Sequence, residues 1–161
     1  MASDYVFLDE WDVDAPREAV FAALADARSY PEWWKPVYIA VETDGPPEVG
    51  RMSRQEFKGR LPYHLKTSSK IVNYRPPEEL AVEVEGDLSG RGVWTLTERA
   101  DGRVHVAFDW RVYADRALLR YLTPLLRPVF RWNHNWSIQR AIEGLESYAR
   151  ARSGAGSAAS S

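Results

Sequence analysis

His134 is the residue of this chain best placed to do chemistry. Stepping about 100° per residue along Pro128–Arg152 gathers His134, Ile138, Ala141, Ile142, Leu145 and Ala149 onto one face, flanked by Phe130 and Tyr148. A histidine among apolar neighbours can hydrogen-bond a ligand carbonyl or carry a proton near neutral pH; the alternative is a histidine satisfied by a nearby backbone or side-chain group. Tyr63, Thr67 and Ser69 add hydroxyls at alternate positions of one segment, each able to meet a ligand, a neighbouring strand or water. If bonds are made or broken here, His134 and Tyr63 are the residues to move the proton.

Other chemistries are excluded by spacing. Gly90-Arg-Gly92 precedes a strand rather than a helix, so it forms no phosphate cradle. Thr67 and Lys70 are three apart on a strand, hence on opposite faces, which defeats activation of a hydroxyl nucleophile by the lysine. His64, His105 and His134 belong to separate elements, the first two facing outward, so neither a metal site nor a cofactor is expected. Gly-x-Ser-x-Gly is absent, and there is no cysteine.

The candidate groups depend on strands for their placement. Tyr5–Val13 alternates, with Phe7, Trp11 and Val13 on one side and Glu10 and Asp12 on the other. Asp14 opens a helix as its cap, with Pro16 in the first turn and Val20, Phe21 and Leu24 as the buried stripe. Tyr30–Trp34 makes one further short helix. From Val37 the period changes to two, and turn signals cut the run into Val37–Thr43, Arg51–Lys58, Tyr63–Tyr74, Leu80–Gly86, Leu88–Glu98 and Arg103–Tyr113. With the first strand these make seven, linked antiparallel. Asp115–Leu126 reads as a short helix broken by Pro124, ahead of the long one.

Alternation assigns the faces. Tyr63, Leu65, Thr67, Ser69 and Ile71 point inward against outward Lys66 and Lys70; Leu80, Val82 and Val84 do the same, as do Val104, Val106, Phe108, Trp110 and Val112. Leu88, Gly90, Gly92, Trp94 and Leu96 form another inward set. Two inward glycines beside a tryptophan mark a sharp bend or a close approach to the backbone. The Arg51–Lys58 strand has polar residues on both sides, so its facing stays open.

The composition supports one sizeable core: 161 residues, 45% hydrophobic, give a single domain over 1–152. Residues 153–161 lack bulky side chains and read as a disordered tail. A formal net charge of −2 and the absence of a basic run interleaved with aromatics argue against nucleic acid as a partner. No leader-like start or long apolar span is seen, and a cytoplasmic location is expected.

Four segments carry a family likeness: Asp14-Ala-Pro-Arg-Glu-Ala-Val-Phe21, Tyr30-Pro-Glu-Trp-Trp34, Gly86-Asp-Leu-Ser-Gly-Arg-Gly-Val-Trp-Thr-Leu96 and Pro128-Val-Phe-Arg-Trp-Asn-His-Asn-Trp136. With the order of elements, they make the chain resemble the START-related helix-grip superfamily, often called SRPBCC, and within it the polyketide cyclase/dehydrase and lipid-transport branch. The resemblance implies an α+β fold in which a curved seven-stranded antiparallel sheet grips the long C-terminal helix. It also implies a hydrophobic cavity between them that holds a lipid, polyketide or similar molecule. In such a cavity Trp34, Leu65, Thr67, Trp94, Phe108, Trp110, Phe130 and Ile138 would contact the ligand, with Tyr63 and His134 as polar anchors. Carriers, sensors and enzymes share the fold, so it does not choose among them.

The opposite face of the terminal helix carries Val129, Trp132 and Trp136. Packing against neighbouring loops, an interface with another protein, and transient docking on anionic membrane are the three readings of that stripe.

Overall fold

The computed structural model describes residues 5–35, 37–58, 64–87, 89–113 and 117–159, with side chains described for these except 5, 117–127, 129, 130 and 153–159. The chain opens with strand β1 (Tyr5–Val13). Helix α1 (Arg17–Ala25), a 3-10 turn (Ala27–Ser29) and the short helix α2 (Tyr30–Trp33) follow. Six strands then run in succession: β2 (Tyr38–Thr43), β3 (Met52–Phe57), β4 (Leu65–Arg75), β5 (Glu79–Gly86), β6 (Ser89–Glu98) and β7 (Val104–Tyr113). Helix α3 (Ala117–Ala159) completes the described chain.

The strands form one antiparallel sheet in the order β1-β7-β6-β5-β4-β3-β2, so β2 to β7 are sequential neighbours and β1 returns to pair with β7. One face is apolar and the other charged, the pattern expected of an antiparallel sheet covered on one side only. The cover is α3, whose Ile138, Ala141, Leu145 and Ala149 are buried in the same core as Val13, Ile71, Leu80, Trp94, Leu96 and Val106. Helix α1 packs beside it through Val20, Phe21 and Leu24. This is the helix-grip arrangement.

The inward glycines of β6 are explained by the neighbouring strand. A Cβ at Gly90 would lie 2.2 Å from the carbonyl oxygen of Arg111, and one at Gly92 would lie 3.1 Å from the Phe108 ring. The groups that approach this backbone therefore belong to β7. A register shift between Ile71 and Asn73 in the β4–β5 pairing adds a local bend on the other side.

Two expectations need correction. The backbone of α3 is helical without interruption through Pro124 and Pro128, where a break was expected at Pro124. Proline removes one hydrogen bond and crowds the preceding turn, but strong helix formers such as Leu and Arg on both sides favour continuing the helix. Finally, Asp14 does not cap α1: Pro16 occupies the cap position without a side-chain hydrogen bond, while the Asp14 amide donates to Glu146 of α3 at 2.8 Å. No helix among the described residues is long and apolar enough to cross a membrane.

Candidate functional site

Between the curved sheet and α3 lies a cavity of about 210 Å³. Sheet residues reach it at every second position, as the strand period requires. β3 contributes Ser53, Gln55 and Phe57, with Arg51 just before the strand; β4 contributes Leu65, Thr67 and Ser69. Leu80, Val82 and Val84 of β5, Gly92 and Trp94 of β6, and Phe108, Trp110 and Val112 of β7 continue the wall. Phe7 closes one side from β1. Tyr30, Trp34 and Tyr38 close another, and Asn133, His134, Ser137 and Ile138 of α3 form the roof.

Aromatic rings make up much of this wall. Trp94 and Phe108 stack with centroids 3.9 Å apart, and Phe108 runs nearly parallel to Trp110 at 6.3 Å. Trp34 meets Trp94 edge-on at 6.3 Å, and its indole N–H donates to the Ser137 carbonyl at 2.8 Å. That bond ties the segment after α2 to the roof. Burial pushes the Tyr30 and Tyr38 phenols well above their ordinary range, so both stay neutral and can act as hydroxyl donors.

His134 lies on the cavity wall and is also satisfied within the protein. Its Nε2–H donates to the Asp9 carboxylate at 2.6 Å, with side-chain exposures of 12% and 20%. The imidazole stacks on Phe7 at 4.0 Å. Asp9 shares the inward face of β1 with Phe7 and Trp11, so β1 supplies both the ring beneath the histidine and the carboxylate that orients it. A carboxylate-fixed imidazole of this kind is suited to proton transfer, because its second nitrogen is held in one orientation.

A polar strip crosses β3 and β4. Ser53 and Ser69 share a hydrogen bond at 2.8 Å, and Gln55 donates to Thr67 Oγ1 at 2.9 Å. Arg51 donates through Nη1 to the Ala25 carbonyl, the last residue of α1, at 2.9 Å. These registers resolve the facing of β3: Glu56 lies on the outer side, where it meets His64 at 2.7 Å.

Of the residues singled out from sequence, Trp34, Leu65, Thr67, Trp94, Phe108, Trp110, His134 and Ile138 all line the cavity. Tyr63 and the side chain of Phe130 lie outside the described residues. The sequence reading missed Asp9, Arg51, Ser53 and Gln55. His105 is on the outer face with Asp12 at 2.9 Å, and no group of three metal-ligating side chains occurs among the described residues. Trp132 is 50% exposed, whereas Trp136 packs against the edge of the core beneath Arg140, whose guanidinium lies 5.7 Å from its ring. The two tryptophans therefore do not form a single open patch.

Residues 9–150 match the family described as polyketide cyclase / dehydrase and lipid transport. The chain belongs to this family. Its polyketide cyclase/dehydrase fold is shared at low identity by solved structures. A Thermus thermophilus protein superposes with a TM-score of 0.76 at 16% identity, covering 92% of this chain and 99% of its own. A START superfamily protein from Mycobacterium smegmatis gives 0.69 at 13% identity, with coverages of 89% and 96%. The di-domain ARO/CYC BexL from the BE-7585A biosynthetic pathway gives 0.66 at 17% identity, covering 88% of this chain and 50% of that one. At these identities the likeness is one of fold. No functionally curated protein matches the chain in sequence.

Proposed function

We propose that this polyketide cyclase/dehydrase family member is a cytosolic protein that encloses one hydrophobic small molecule, a lipid, polyketide or similar compound, between sheet and helix. The observation that carries the reading is the cavity of about 210 Å³ lined by Trp34, Trp94, Phe108 and Trp110. At about 24 cal/mol per Å³, a dry void of this size would cost roughly 5 kcal/mol, a large fraction of a domain's stability. A bound apolar molecule removes that cost. Flat indole and phenyl faces suit a ring system or an acyl chain. The test is to denature freshly purified protein and identify by mass what is released, alongside titration with fatty acids, aromatic polyketides and terpenoids. A released hydrophobic molecule or saturable binding is expected. Neither being found would end this reading.

A second reading is favoured by His134 on the wall with its Asp9 partner: an enzyme of the cyclase or dehydratase type, in which the cavity folds a flexible substrate and His134, with Tyr63, moves protons. Turnover unaffected by His134→Ala would remove it.

A further inference from the structure

Arg51 is the one Lys or Arg side chain on the cavity wall among the described residues. It is 9% exposed. Among the described residues only Nη1 has an acceptor, the Ala25 carbonyl; Nε is buried without one, and no carboxylate pairs with the guanidinium. Desolvation pushes its pKa below the ordinary arginine value, opposed through space by Asp26.

Capping the end of α1 is a sufficient reason for one hydrogen bond, but not for burying a cation with five donors. Removing a charge from water without a counter-ion is expensive, and a buried guanidinium ordinarily faces a carboxylate or phosphate. Arg51 lines a cavity in which the neighbouring inward groups, Ser53 and Ser69, are themselves polar hydroxyls.

We propose that the ligand of this cavity carries a carboxylate that seats on Arg51, while its apolar body lies against the aromatic wall formed by Trp94 and Phe108. The planar fork of the guanidinium matches a carboxylate better than a lysine could, and in a desolvated site the charged hydrogen bonds are strong. The cavity is somewhat larger than the void of about 150 Å³ that admits benzene. It is smaller than the roughly 300 Å³ at which drug-sized sites begin. The enclosed body is therefore one or two rings, or a short chain. This assignment rests on the cavity being the ligand site.

The probes are 2-naphthoate and its neutral isostere 2-naphthamide, titrated against the full chain and followed by tryptophan fluorescence and calorimetry. Wild-type protein is expected to bind the carboxylate about tenfold more tightly than the amide. Arg51→Met should collapse that ratio toward one, and Arg51→Lys, which keeps the charge but not the fork, should give an intermediate ratio. Equal binding of the two probes by wild-type protein, or a ratio unchanged in Arg51→Met, overturns the carboxylate assignment and leaves the cavity as a site. Binding of neither probe overturns both. If Arg51→Met does not fold, the wild-type ratio and Arg51→Lys decide: a wild-type preference that Arg51→Lys weakens supports the assignment, and any other result overturns it.

Discussion

Asp9 and His134, 125 residues apart in sequence, meet at 2.6 Å beside the cavity and couple β1 to α3. Because the pair is largely shielded from water, losing either partner leaves the other poorly satisfied. Asp9→Ala is expected to destabilise the fold by about 1–3 kcal/mol. The double-mutant cycle with His134→Ala should return a coupling of at least about 0.5 kcal/mol by urea denaturation. Strict additivity would mean that the contact contributes nothing.

Gly144 offers a sharper packing test. A Cβ built there would lie 1.7 Å from the Trp33 carbonyl oxygen and 2.8 Å from its carbon, both backbone atoms of α2 that cannot rotate away. Alanine normally favours a helix over glycine by about 1 kcal/mol. At this position the order should reverse, Gly144→Ala costing about 1–3 kcal/mol through the forced separation of α2 from α3. An increase in stability would show that the close approach does not exist in solution.

Filling the cavity should separate binding from folding. Val82 lines it from the centre of the sheet, and Val82→Phe extends a ring into the void. Ligand affinity is expected to fall by at least about tenfold while stability is unchanged or raised, since buried empty space is removed. Conversely, a ligand at about a hundred times its dissociation constant should stabilise wild-type protein by about 2.7 kcal/mol, seen as a raised Tm that Val82→Phe lacks.

Alkaline titration reports on the wall near Trp34. Burial raises the Tyr30 and Tyr38 phenols, so the folded state favours their neutral form. Their contribution to stability is complete below the ordinary tyrosine value of about 10 and is lost as pH rises toward the folded value. Tyrosinate absorbance should therefore show at least two of the eight tyrosines ionising late, together with unfolding. Full ionisation in one step, with near-UV dichroism retained, would contradict their burial.

The sequence made the inner faces of β1, β4, β5, β6 and β7 legible because apolar and charged residues alternate cleanly along them. Phe108, Trp110, Leu65 and Thr67 could be assigned to the interior on that rule alone. β3 could not, since Ser53 and Gln55 point inward while Arg54 and Glu56 point outward, and polarity does not distinguish them. Asp9 obeys the same alternation as Phe7 and Trp11, yet an inward carboxylate becomes intelligible only with its distant partner in view. Arg51 is hidden for the same reason: the carbonyl it reaches belongs to α1, which no local pattern connects to β3. Pro124 misled because a local breaker was weighed without the strong helix formers on either side.

With β1 and β2 at its two margins, the sheet is an open shell rather than a sealed tube. A barrel could widen only by tearing a seam of interstrand bonds. Here no interstrand seam joins β1 to β2, so the shell can splay at that gap with every rung intact.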